Sequence, residues 1–87
     1  MTHIAGIIAE QESYKERLQE IETAHATILQ AIESRFLREQ NEPNASSEWL
    51  EMSVQSRQEL LHMAEESLRA SKLNAMQERD EALGQFI

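Results

Sequence analysis

The feature that most constrains the fold of this chain is a single central cluster of turn-forming residues. The chain has two glycines and one proline among its 87 residues, and Pro43 lies among the asparagines and serines of residues 41–47. These residue types favour turns and interrupt periodic structure. The sequence therefore predicts an all-α, antiparallel, coiled-coil-like helical hairpin. It forms one domain over residues 1–87, with helix 1 at about 4–39, a loop at 40–46 and helix 2 at about 47–83.

The apolar residues of the first half recur at alternating spacings of three and four, as in a coiled coil. One row is Ile4, Gln11, Leu18, His25 and Ile32, and the other is Ile7, Tyr14, Ile21, Ile28 and Arg35. A similar row starts at Leu50, but beyond Leu68 small or polar residues fill it and a row with a shifted phase takes over. Either helix 2 turns a different face to its surroundings there, or it breaks near Ser71. The lack of Gly or Pro at that point favours continuity.

Composition excludes several classes of function. The net charge is −8 and there is no cysteine, so disulfides and thiolate metal sites are excluded and no basic stripe is available for nucleic acid. No apolar run approaches the roughly 20 residues of a membrane span. We therefore expect a cytoplasmic protein with no cofactor, no membrane contact and no direct nucleic-acid binding.

Early helix 2 is apolar on more sides than one partner helix can cover. Its apolar residues are Trp49, Leu50, Met52, Val54, Leu60, Leu61, Met63, Ala64 and Leu68. A helix with one side in solvent normally carries polar residues on that side. Trp and Met are also common at helix-binding interfaces. The alternative is that they fill the core of a bundle. The partner-binding residues that we predict are Trp49, Met52, Leu60, Met63, Ile8, Leu29 and Phe36.

The spacing Glu-x-x-His occurs twice, as Glu22 with His25 and as Glu59 with His62. Residues i and i+3 share a helix face, so each pair could hold one metal ion. The pattern is similar to that of half-ferritin carboxylate proteins, which dimerise to complete a metal site but carry one pair per hairpin. The competing interpretation is that these are ordinary helix positions.

The functional hypothesis that follows is a protein–protein interaction module, because the sequence shows no nucleophile constellation and no phosphate loop and so does not suggest an enzyme. In size, charge and layout the chain is similar to small helical-hairpin co-chaperones of bacterial secretion systems and to phage-encoded helical inhibitors. This predicts a chaperone, adaptor or inhibitor that packs its helices against another protein, against a second copy as a homodimer, or both. The alternatives are a filament-type structural subunit, a metal-binding helical dimer and an acidic nucleic-acid mimic.

Overall fold

The computed structural model describes the backbone of residues 2–86 and the side chains of residues 3–86. Two helices, α1 (Thr2–Gln40) and α2 (Ser47–Gly84), pack side by side as an antiparallel hairpin. The Cα trace of the hairpin extends over 68 × 15 × 7 Å. The predicted all-α hairpin is confirmed, and α2 continues through Ser71 without a break.

Local side-chain chemistry fixes the loop end of both helices. The Ser46 hydroxyl accepts a hydrogen bond from the Trp49 backbone N–H (3.1 Å), which satisfies one of the free N–H groups at the start of α2. Glu48 follows in the first turn, where a carboxylate suits the helix dipole. At the end of α1, the backbone N–H and the side-chain amide of Asn41 both donate to the Leu37 carbonyl, at 3.0 and 2.8 Å.

The free ends of the two helices are joined by an aromatic contact. Gly84 after Leu83 and the nearby Phe86 predict a helix end at Gly84 with Phe86 folded back on the last turn of α2, and α2 does end at Gly84. The Phe86 ring instead lies across the hairpin against Gly6 of α1, where a Cβ would overlap it. The same ring meets the His3 ring edge-on, with 6.2 Å between the centroids.

The contact between the helices follows an 11-residue repeat. In α2 the central row of buried and half-buried side chains is Ser53, Ala64, Ala75 and Phe86. In α1 the matching rows are Glu10, Ile21 and Ile32; Tyr14, His25 and Phe36; and Leu18, Leu29 and Gln40. Eleven residues fill three turns at about 3.67 residues per turn, close to the 3.6 of an undistorted helix. The two helices can therefore keep the same faces in contact over their full length with almost no supercoiling.

The predicted seven-residue rows of α1 are correct only near the middle of the helix. Leu18, Ile21 and Ile32 lie between the helices, whereas Ile4 (65% exposed) and Arg35 lie outside the contact. A seven-residue repeat requires 3.5 residues per turn, so on a nearly straight helix it drifts by about 20° per heptad. Each row spans four heptads, so the drift reaches about 80° and carries Ile4 and Arg35, at opposite ends of the helix, out of the interface.

A candidate protein-interaction face

The hairpin has a small core and leaves large apolar side chains in water. Within the described residues, the buried apolar side chains are Ile32, Ala64 and Ala75. The exposed large apolar residues include Met52 (64%) and Met63 (63%), and those among residues 3–86 are Ile4, Ile7, Ile8, Ile28, Leu37, Trp49, Met52, Val54, Met63, Leu73 and Met76. Exposed apolar side chains indicate an interaction site where they form a contiguous patch, so their positions on the hairpin matter.

Several of these residues share one side of the hairpin, which we call the apolar face. On α2 the spacings of three, four and seven between Trp49, Met52, Ser56, Leu60, Met63 and Ser67 put these residues in one strip. On α1 the face is formed by Ile21, Ala24 and Ile28. Both strips border a shallow groove of about 240 Å³, which is lined by Glu20, Ile21, Ala24, His25, Ile28, Ala64, Ser67, Leu68 and Ser71.

The groove exists because small residues face each other where the helices meet. Ala24 and Ala64 have short side chains, and Ser67 and Ser71 continue this run along α2. Larger residues at these positions would fill the space above the line of contact. The result is a depression with apolar walls, a shape that suits the side chains of another helix.

The opposite side of the hairpin, here the bridged face, is closed by ion pairs between the helices. Lys72 Nζ lies 3.2 Å from Glu22 Oε1, and Arg57 Nε donates to Glu33 Oε1 over 2.8 Å. The Arg57 guanidinium also lies 5.1 Å from the centroid of the Phe36 ring, which it partly covers. A third pair between the helices, Arg17 with Glu78, lies on the side of the apolar face but beyond its end, so the face itself is crossed by no ion pair among the described residues.

At the loop end, polar contacts hold the apolar face in place. The Trp49 indole N–H donates to the Glu39 carbonyl (3.0 Å), which fixes the ring while leaving it 42% exposed. The buried Ser53 hydroxyl donates to Glu39 Oε1 (3.3 Å), and Arg35 Nε lies 3.8 Å from the same oxygen. The indole is therefore presented to solvent in a defined orientation.

The structure divides the seven predicted partner-binding residues into two groups. Trp49, Met52, Leu60 and Met63 lie together on the apolar face. Leu29 and Phe36 are half-buried toward the bridged face, where Leu29 borders a hollow with Glu33. Ile8 is 53% exposed, but lies 13 residues before Ile21, or about 20 Å along the helix.

Sequence reasoning missed the contribution of α1 to this face, namely Ile21, Ala24 and Ile28. A seven-residue reading placed Ile21 and Ile28 in the contact between the helices. An 11-residue reading of the same sequence, with Glu10, Ile21 and Ile32 as one row, puts Ile28 at the edge of the contact. The sequence therefore does indicate the position of Ile28, but only when it is read with an 11-residue repeat.

The two Glu-x-x-His pairs do not converge within one chain. His25 is half-buried beside the groove, whereas His62 is 71% exposed and its Nε2 lies 3.2 Å from Glu66 Oε1. Glu22 is paired with Lys72 and Glu59 is exposed. Among residues 2–86, no three His, Asp or Glu side chains are grouped so as to hold a metal ion. A metal site shared between two chains stays a prediction.

Comparisons of this chain with protein-family models, with curated proteins and with solved structures give no match. In the part of the chain that the structure describes, neither helix combines the length and the apolar character needed to cross a membrane.

Proposed function

We propose that this chain is a protein-interaction module of the chaperone, adaptor or inhibitor kind that binds through the apolar face. The single observation that carries the proposal is the grouping of Trp49, Met52, Leu60 and Met63 with Ile28 on one side of the hairpin, next to a groove. Helix packing onto such a face is a common mode of protein recognition. The partner is another protein or, as a homodimer, a second copy of this chain.

The total exposed surface supports this proposal. The hairpin exposes 6874 Å², whereas a compact protein of this mass exposes about 5,200 Å². The excess is roughly 1,600 Å², about twice the roughly 800 Å² that each partner buries in a standard protein–protein interface. A partner at such an interface would therefore remove about half of the excess exposed surface of this chain.

The asymmetry of the hairpin supports it as well. The charged residues that cross between the helices on the bridged face satisfy each other there, as Lys72 does with Glu22. On the apolar face the positions between Trp49 and Ser71 carry Ala, Ser, Ile, Leu and Met, and the cross-helix pair of Arg17 with Glu78 on that side lies beyond the end of the face. A face without charge at its centre is the usual character of an interface core.

The test is affinity purification with the wild-type chain and with Met52→Glu/Met63→Glu. We expect proteins that bind the wild type to be recovered at least about tenfold less with this variant, because each substitution puts a carboxylate into the apolar contact. The matched control is Leu37→Glu/Leu73→Glu, which changes two residues that are 57% and 49% exposed and lie outside the apolar face. Circular dichroism checks that both variants remain helical.

Equal recovery with Met52→Glu/Met63→Glu and with the wild type would contradict the proposal. Concentration-dependent fibres of the purified chain in electron micrographs would instead support a filament-type subunit.

A further inference from the structure

We infer that the occupant of the apolar face is a single amphipathic α-helix of another protein whose apolar stripe is bordered by Lys and Arg. This inference rests on the proposed function and specifies the partner. It follows from the dimensions of the face, from the small residues at its centre and from the charges at its edges.

The dimensions fit one helix. On α2 the apolar face runs from Trp49 to Ser71, which is about 33 Å at 1.5 Å per residue. The face narrows into the groove between Ala24 and Ser67. Small residues at that point allow a third helix to approach both α1 and α2 closely. A partner helix of roughly 18–22 residues would cover the face from the loop to the far end of the groove.

The edges of the face are mostly acidic. On the α1 edge, Glu20 borders the groove and Glu16 lies one turn before it. On the α2 edge, the exposed Glu59 lies four residues before Met63, and Glu66 lies three residues after it. The arginines on this side are Arg17, which is paired with Glu78 beyond the end of the groove, Arg35, which is beside Glu39, and the exposed Arg38 near the loop. Lys and Arg next to an apolar stripe would meet the carboxylates on both edges.

Charge also argues against a second copy as the occupant. Each chain has a net charge of −8, so two apolar faces brought together would also bring together their Glu20, Glu59 and Glu66 side chains. Like charges placed together at an interface oppose association. A basic-edged helix gains from the same carboxylates.

The probe is a designed 20-residue helical peptide with a Leu/Ile stripe at spacings of three and four and with Lys and Arg on both sides of the stripe. Two comparison peptides separate the contribution of the edge charges from that of the apolar stripe. One has the same stripe with Glu on both sides, and the other has the composition of the basic-edged peptide in scrambled order. Binding to the full chain is followed by calorimetry and by the fluorescence of Trp49, the one tryptophan of the chain. We expect the basic-edged peptide to bind at least about tenfold more tightly than either comparison peptide.

Charge reversal at the α2 edge tests the inference reciprocally. Glu59→Lys/Glu66→Lys should weaken binding of the basic-edged peptide by about fivefold and should strengthen binding of the Glu-edged peptide, because exposed ion pairs each contribute modestly. The matched control is Glu51→Lys/Glu65→Lys, which makes the same change in net charge at exposed positions away from the apolar face. This control should change neither affinity by more than about twofold.

Equal affinity for the basic-edged and scrambled peptides would overturn the inference, since the attraction would then be one of net charge alone. No binding of the basic-edged peptide would also overturn it. So would a dimer in light scattering that is lost in Met52→Glu/Met63→Glu, because the occupant would then be a second copy. If affinity purification still shows partners that depend on Met52 and Met63, these results reject the basic-edged helix and leave the interaction module standing.

Discussion

At the scale of single residues, the smallest side chains decide how closely the helices pack. Ala75 is 2% exposed and shares a hollow with Tyr14 and Arg17 of α1. A larger side chain there must push the helices apart or take up a strained rotamer. Small residues at the contact therefore set the distance between the two helices.

Ala75→Leu should lower the free energy of unfolding by about 1–3 kcal/mol, the usual cost of overpacking a close contact. The same substitution at Ala70, which is exposed on α2, should change it by less than about 0.5 kcal/mol. Urea unfolding followed by circular dichroism measures both. If Ala75→Leu proves as stable as the wild type, the helices are not in close contact at this position.

Which large apolar side chains stay exposed on the hairpin was only partly predictable. Trp49, Met52 and Met63 were identified because a large apolar residue in a crowded helix segment is conspicuous in any register. Leu29 and Phe36 were assigned to the partner although they face α2, since their direction depends on the phase of the contact. That phase is set by tertiary packing. Rotating a helix by roughly 30–50° about its axis does not change its local propensity, but it exposes side chains that were half-buried and buries others.

At the scale of the helices, the bounds were predicted to within about two residues, because their signals are local. Ser46 and Asn41 are chemically suited to end or begin a helix wherever they occur. The period of the contact between the two helices was harder to predict from the sequence. Seven-residue and 11-residue patterns share most of their positions over two turns and separate only over the full length of a helix.

The Ser46 cap should be worth about 1 kcal/mol to α2. We expect Ser46→Ala to lower the free energy of unfolding by that amount, because the Trp49 N–H loses its acceptor. Ser47→Ala is the control, since Ser47 is the exposed first residue of the helix and alanine has the higher helix propensity. Equal destabilisation by both changes, measured by urea unfolding, would show that Ser46 does not act as a cap.

At the scale of the whole molecule, the hairpin is a thin rod. Its radius of gyration is 19.8 Å, whereas a compact domain of 87 residues would have about 12 Å. A rod of two helices has no interior beyond its single line of contact, so a large part of its apolar surface stays wet. A hairpin of this shape cannot bury the face that we propose as a docking site, and a bound partner would cover it.

A partner that binds only the folded hairpin must also stabilise it, and this links the docking proposal to the stability of the whole chain. With the basic-edged peptide at 100 times its dissociation constant, the free energy of unfolding should rise by about 2.7 kcal/mol. For a domain of this size, that corresponds to a rise in melting temperature on the order of 10–20 °C. Met52→Glu/Met63→Glu should show almost no rise at the same peptide concentration, because the carboxylates exclude the apolar stripe from the face. Thermal unfolding followed by circular dichroism measures both shifts, and an equal rise in the variant would place the peptide elsewhere on the acidic surface.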